Sequence, residues 1–308
     1  MKLKKFASSV LAASLLVGAS GGVFADGIAT AYLKISGLKF TDAGGSKLTV
    51  GTDLIFNSAV NNEGDTSATL NGTNEFHSDS APASAAGLDI LQSCVGACPY
   101  GENDFSSFLT KPTLPAGNYV VGDALLSGAS VNFPGVVLPD VTAETLAEVG
   151  LKTGVGTAAG NNLGVQTSFS WIAGATGTMH YSYIADAYIR AALTPDVAGT
   201  QANASIGFTL TVTNSTLGGA LVHAHEPLAI NGAASRSSTV PGDDFDYSVV
   251  ATGFSGSFAV VADQRYQLTI DHFSDANAEV IPEPASIAIL GAGLLGMGMV
   301  RRRKRLAS

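Results

Sequence analysis

The sequence predicts an all-β fold, an antiparallel β-sandwich of jelly-roll-like type with minor helix, and three observations predict it. Apolar residues alternate with polar ones at period two, turn-forming residues separate the alternating segments, and charged residues, from which exposed helices are built, are scarce. Of 308 residues, 36 are glycine and 13% are charged, against averages of about 7% and about 25%. The clearest strand is 205–213, where Ile206, Phe208, Leu210 and Val212 alternate with Ser205, Gly207, Thr209, Thr211 and Thr213. That spacing gives one core face and one Thr-rich solvent face. Tyr266, Leu268 and Ile270 alternate in the same way with Arg265, Gln267, Thr269 and Asp271, and His272 shares their parity as a strand-end packing residue.

Further strands are expected near 30–40, 48–57, 117–127, 166–174, 178–192, 219–230, 245–251 and 256–263. Many short strands between Gly, Asn, Asp and Pro suit two sheets that cover each other's apolar faces. Residues 83–91 and 141–151 carry Ala, Leu and Glu at helical spacing, and residues 286–300 form an apolar helix. Segments 61–85 and 152–164, rich in Asn, Gly, Ser, Thr and Ala, read as long surface loops. No solenoid-length repeat and no linker divides residues 26–277, which therefore read as one domain.

Charge is unevenly distributed. Residues 1–25 hold three lysines and no acid, and residues 285–308 hold five basic residues and no acid. The stretch between keeps eight basic residues against all 25 acidic ones, so its net charge is −17 where the whole chain has −9. Such a body disfavours nucleic acid and anionic membrane surfaces as partners, because both attractions need clustered Lys and Arg.

The two ends are addresses. Lys2, Lys4 and Lys5, an apolar stretch over 6–17, and small residues before a cut between Ala25 and Asp26 make residues 1–25 a secretory signal peptide, with signal peptidase as its partner. At the other end, Pro282, Glu283 and Pro284 forbid helix and hold an extended segment. Residues 285–300 follow without a charge, and at about 1.5 Å each they span about 24 Å, short of the about 30 Å hydrocarbon core. Snorkelling by Arg301 and its neighbours closes the gap. The run Arg301, Arg302, Arg303, Lys304, Arg305 fixes that end in the cytoplasm, so the acidic body lies on the far side of a membrane crossed by a single transmembrane helix.

This tripartite tail, residues 281–308, resembles the PEP-CTERM sorting signal of Gram-negative bacteria that make extracellular polysaccharide. The resemblance implies recognition of Pro282, Glu283 and Pro284 by exosortase and a cut near them. The protein would be transiently anchored in the inner membrane by residues 285–300, then sorted to the cell surface or beyond. It implies nothing about the body's fold. The string Ser78-Asp79-Ser80-Ala81-Pro82 is reminiscent of the subfamily named for Glu-Asp-Ser-Ala-Pro, with a different first residue.

Cys94 and Cys98 are the only cysteines. An oxidising destination favours a local disulfide over free thiols or a redox pair, and Gly96 lets the short loop close. His223 and His225 flank Ala224, so on a strand both rings point to one face and begin a two-imidazole metal site, with His180 or Asp186 as a third ligand; the plainer reading is two polar residues near a strand end. Asn103-Asp104 and the turn Asp243, Asp244, Asp246 offer oxygen ligands of the kind Ca²⁺ takes, without EF-hand spacing. No metal site is assigned, no cofactor is required by any motif, and Ca²⁺ is the one ion the acidic turns would suit.

Nucleophile-elbow, zincin and phosphate-loop motifs are all missing from the sequence, and Glu144, Glu148 and Asp186 are isolated carboxylates, so the chain is expected not to be an enzyme. Trp171, Tyr181, Tyr183 and Tyr188 either stack on sugar rings or belong to the core. The reading is thus an exported, exosortase-processed surface protein of structural or adhesive type, associated with extracellular polysaccharide or biofilm matrix. A carbohydrate-binding module, Ca²⁺-assisted or not, is the alternative, and a secreted hydrolase comes third.

Overall fold

The computed structural model describes residues 26–56, 61–82, 87–105, 117–136, 138–151, 157–194, 200–237 and 245–280. Among these the strands are β1 (Asp26–Thr41), β2 (Leu54–Phe56), β3 (Asn61–Leu70), β4 (Thr73–Pro82), β5 (Gly87–Gly96), β6 (Tyr119–Ser127) and β7 (Val141–Leu151). They continue with β8 (Thr157–Ala173), β9 (Gly177–Thr194), β10 (Gln201–Asn214), β11 (Ala220–His225), β12 (Gly232–Ser237), β13 (Phe245–Val260) and β14 (Arg265–Val280).

Six strands form one sheet in the order β13-β9-β1-β7-β6-β5. The other sheet runs β11-β10-β14-β8-β3-β4, with β12 beside β11 on the edge of β10 and β2 beside β3 on the edge of β8. Every ladder between these strands is antiparallel. Strands β8, β9 and β10 step from sheet to sheet as jelly-roll strands do, whereas β5, β6 and β7 lie side by side in one sheet.

The period-two segments fold as expected and bury their apolar parity. Ile206, Phe208, Leu210 and Val212 meet Leu33, Ile35 and Ala187 of the facing sheet in one continuous core that also contains Trp171 and Tyr266. Polar ties cross this core. Nε2 of His272 lies 3.0 Å from the Leu33 carbonyl oxygen and 3.3 Å from the Thr145 hydroxyl, which in turn bonds Ser274 at 2.7 Å. His272 is therefore an interior residue joining the sheets, and burial drives its pKa down to about 4.

Four expectations are corrected. Residues 141–151, expected as helix, form β7, which is buried on both faces. Its inner residues join the main core, while Leu146 packs with Tyr32, Tyr188 and Phe105 in a second cluster on the sheet's outside. A strand covered on both faces loses its alternation, and its Ala, Leu and Glu then mimic a helix. Of the expected helix at 83–91, residues 87–91 begin β5 and the rest lie outside the described residues. The presumed loop 61–85 is largely the hairpin β3–β4. Its turn is Asn71-Gly72 with φ of +50° and +81°, the doubly left-handed turn that matches strand twist. The second presumed loop, 152–164, joins β8 from Thr157.

No helix among the described residues is long and apolar enough to cross a membrane. The expected signal peptide 1–25, the apolar helix 286–300 and the basic tail lie outside the described residues.

Candidate functional site

The residues singled out in the sequence fall into two buried clusters. On the inner side of β9, Tyr181 and Tyr183 reach across to β11: the Tyr181 hydroxyl lies 3.0 Å from Nε2 of His223, and the Tyr183 hydroxyl 2.9 Å from Nε2 of His225. The two imidazoles do share a face, 6.4 Å apart and nearly parallel. Their partners are tyrosines, and burial lowers both histidine pKa values and pushes Tyr181 up to about 12. His180 and Asp186 occupy the opposite parity of β9, and Oδ1 of Asp186 accepts the Ala251 N–H at 2.7 Å. No group of three His, Cys, Asp or Glu side chains that could hold a metal occurs among the described residues.

The aromatic residues expected as a sugar platform are core. Trp171, Tyr181, Tyr183 and Tyr188 are all buried, and Trp171 stacks on Tyr266 at 5.5 Å. None of the four offers a face to a ligand from solvent, so stacking through them is ruled out in this fold.

The second cluster lies outside the six-stranded sheet, under the segment after β5. Cys94 and Cys98 are joined by a disulfide there. Gly96 holds φ +100°, and a Cβ on it would sit 2.2 Å from the Asn118 carbonyl oxygen, so only glycine fits the bend. The segment lays Tyr100 over Glu148, whose carboxylate accepts hydrogen bonds from Tyr100 at 2.8 Å, Tyr119 at 2.5 Å and Thr30 at 2.9 Å. Glu144 pairs instead with Lys34. In register, Lys34 stands between Glu144 on β7 and Asp186 on β9, so these carboxylates flank a cation.

Next to Glu148's cluster, the Asn103 N–H donates to Oδ2 of Asp123 at 2.7 Å and its amide donates to Asp89, so Asn103 acts here as a donor. Asp246 pairs in register with Arg190, and Asp243 and Asp244 lie outside the described residues. Asp123 is buried, its Oδ1 has no donor, and burial drives its pKa up to about 7.

A carboxyl with a raised folded pKa stabilises the fold at low pH and loses that contribution as pH rises from its unfolded value near 4 through 7. Asp123→Asn, which never ionises, should therefore be more stable than the parent by about 1–2 kcal/mol at pH 8, with the gain shrinking toward pH 5. Denaturation midpoints of both proteins at the two pH values check this; a difference independent of pH would refute it.

A third region was not singled out in the sequence. On the outer face of the eight-stranded sheet, a groove of about 760 Å³ crosses β4, β3, β8 and β14. The register lines up Ser78, Asp65, Gly164, Phe273 and Gly207 in one row, and Ser80, Glu63, Gln166, Asp271 and Thr209 in the next. Gly164 leaves the floor bare. The Phe273 ring leans over Gly207, where a Cβ would sit 2.1 Å from the ring. Phe273 is 40% exposed, and Phe76, across the groove on β4, is 55% exposed. The missed signal was an aromatic residue at the polar parity of β14.

The last element bears on sorting. β14 is a central strand, hydrogen-bonded to β10 and β8, and stays paired until Val280 opposite Thr157. One residue, Ile281, separates it from Pro282. The β-sandwich body thus leads from a central strand into a tail that opens with Pro282-Glu283-Pro284. The tail carries a recognised signal: residues 280–304 match the PEP-CTERM protein-sorting motif, the kind of signal exosortase reads, and such a signal implies export to the cell surface or beyond. The match lies wholly in the tail, and the Ser78-to-Pro82 string forms the end of β4. No curated protein and no solved structure matches the chain.

Proposed function

We propose that the protein is an adhesive or structural component of the extracellular polysaccharide layer, without catalytic activity. In this reading residues 1–25 are removed after Ala25, residues 285–300 hold the chain briefly in the inner membrane, and exosortase cuts near Pro282, Glu283 and Pro284. The body of residues 26–280 is then released to the surface or medium. The observation that carries the reading is the sorting motif beginning at the last residue of β14. Because β14 is paired through its last described residues, a cut past Val280 leaves every described ladder hydrogen bond in place. Further support comes from β1, which is paired from Asp26, the first residue past the expected signal cleavage. The test is the C-terminus of the mature protein, which should lie upstream of Arg301.

The carbohydrate-binding alternative moves from the buried tyrosines to the groove between Phe76 and Phe273, where two exposed rings flank polar side chains.

A further inference from the structure

The groove on the eight-stranded sheet combines three features that constrain what can occupy it. The carboxylates on its face are Glu63, Asp65 and Asp271, and among the described residues no ion pair reaches any of them. The one side-chain donor on this set is the Gln166 amide, on Asp271. A cleft lined by one sign of charge focuses its field and concentrates ligands of the other sign. Burial raises the pKa of Asp65, so its carboxylate is short of solvation that an arriving cation would supply. The two exposed phenyl rings add faces that attract ammonium groups and pack against flat apolar surfaces.

The floor decides between kinds of cation. Across the groove floor residues 63–65 pair with both 78–80 and 164–166, and 164–166 with 271–273, so the floor itself offers a peptide no free ladder groups; the unpaired edge of β4 lies on its far side, away from the floor. Peptides that add to sheets do so at edges, through such groups. What the groove presents instead is Ser78, Ser80 and Gln166 beside the carboxylates, donors and acceptors suited to a hydroxyl-rich ring. Residues 26–280 carry 24 acidic against eight basic residues, a net charge of −16, so an anionic glycan is repelled.

We infer that this groove binds an amine-bearing glycan, a polysaccharide with unacetylated amino sugars, with the sugar rings against Phe273 and Phe76 and the ammonium groups on Asp65, Asp271 and Glu63. The inference rests on the reading of the mature body as a polysaccharide-associated protein and names the class of polysaccharide.

The experiment is calorimetric titration of the mature protein with a short β-1,4-linked glucosamine oligosaccharide, its fully N-acetylated counterpart, and an oligolysine of equal charge. The amine form should bind, and the other two should bind more weakly by about tenfold or more. Phe273→Ala and Asp271→Asn should each weaken the amine form by a similar factor. Glu63→Gln, at an exposed position, provides the same test without disturbing the sheet. Equal binding of the N-acetylated form or of oligolysine would overturn the inference, as would full binding by all three variants. Protein that co-sediments with native extracellular polysaccharide but ignores the amine form overturns the inference and leaves the adhesive reading; protein that binds neither overturns both.

Discussion

Glu148→Ala should destabilise the body by about 3–5 kcal/mol, among the largest losses a single side chain here can cause. The carboxylate is completely buried, and burial is the main influence on it, raising its pKa; the hydroxyls of Tyr119, Tyr100 and Thr30, and the charge of Arg190, act in the opposite sense. Truncation strands the buried hydroxyls of Tyr119 and Thr30, each at a cost of about 1–3 kcal/mol when no acceptor replaces the lost one. It also removes the Tyr100 hydrogen bond, one of the contacts that hold the segment after the disulfide against the outside of the six-stranded sheet. Glu148→Gln keeps the volume and one acceptor and should lose less, about 1–2 kcal/mol. Chemical denaturation of the two variants and the parent separates these cases. An alanine variant within 1 kcal/mol of the parent would show that the network contributes packing only.

Replacing Pro282, Glu283 and Pro284 together by alanine should abolish release and leave the protein in the inner membrane. Proline at two of these three positions opposes helix formation. Alanine is the strongest helix former, so the substitution both erases the proposed recognition residues and allows the apolar helix proposed for 285–300 to extend by three positions. Nineteen residues at about 1.5 Å each reach about 28 Å, close to the hydrocarbon thickness, which turns a marginal span into a durable one. Fractionation reads the outcome: the variant in the inner-membrane fraction with its basic tail attached. Normal appearance in the surface fraction would mean that sorting does not depend on these residues.

How much of this was legible in the sequence depended on how many faces of each strand are covered. Gln201–Asn214 and Arg265–Val280 bury one face and show it as alternation. β7 buries two and was indistinguishable from a helix by pattern alone. The β3–β4 hairpin was readable from Asn71-Gly72, a strong hairpin signal that the surrounding Asn, Gly, Ser and Thr obscured. The sorting motif at 280–304 was legible because its chemistry is linear: prolines, an apolar run and cations act through their order along the chain.

The candidate sites were less accessible. Parity places Tyr181 and Tyr183 on one face of a strand but does not say whether that face meets the other sheet or water, and here it meets His223 and His225. The groove draws Phe76, Asp65, Gln166 and Phe273 from four strands, and only the register between β4, β3, β8 and β14 brings them together.

The central claim is that this chain is cut at its C-terminus and released with its β body intact. Mass spectrometry of protein purified from the cell surface and medium tests it most directly. Exosortase processing predicts a C-terminal peptide ending near Pro282 to Pro284 and no peptide containing Arg301 to Arg305. Surface protein that retains Arg301 to Arg305 would contradict it.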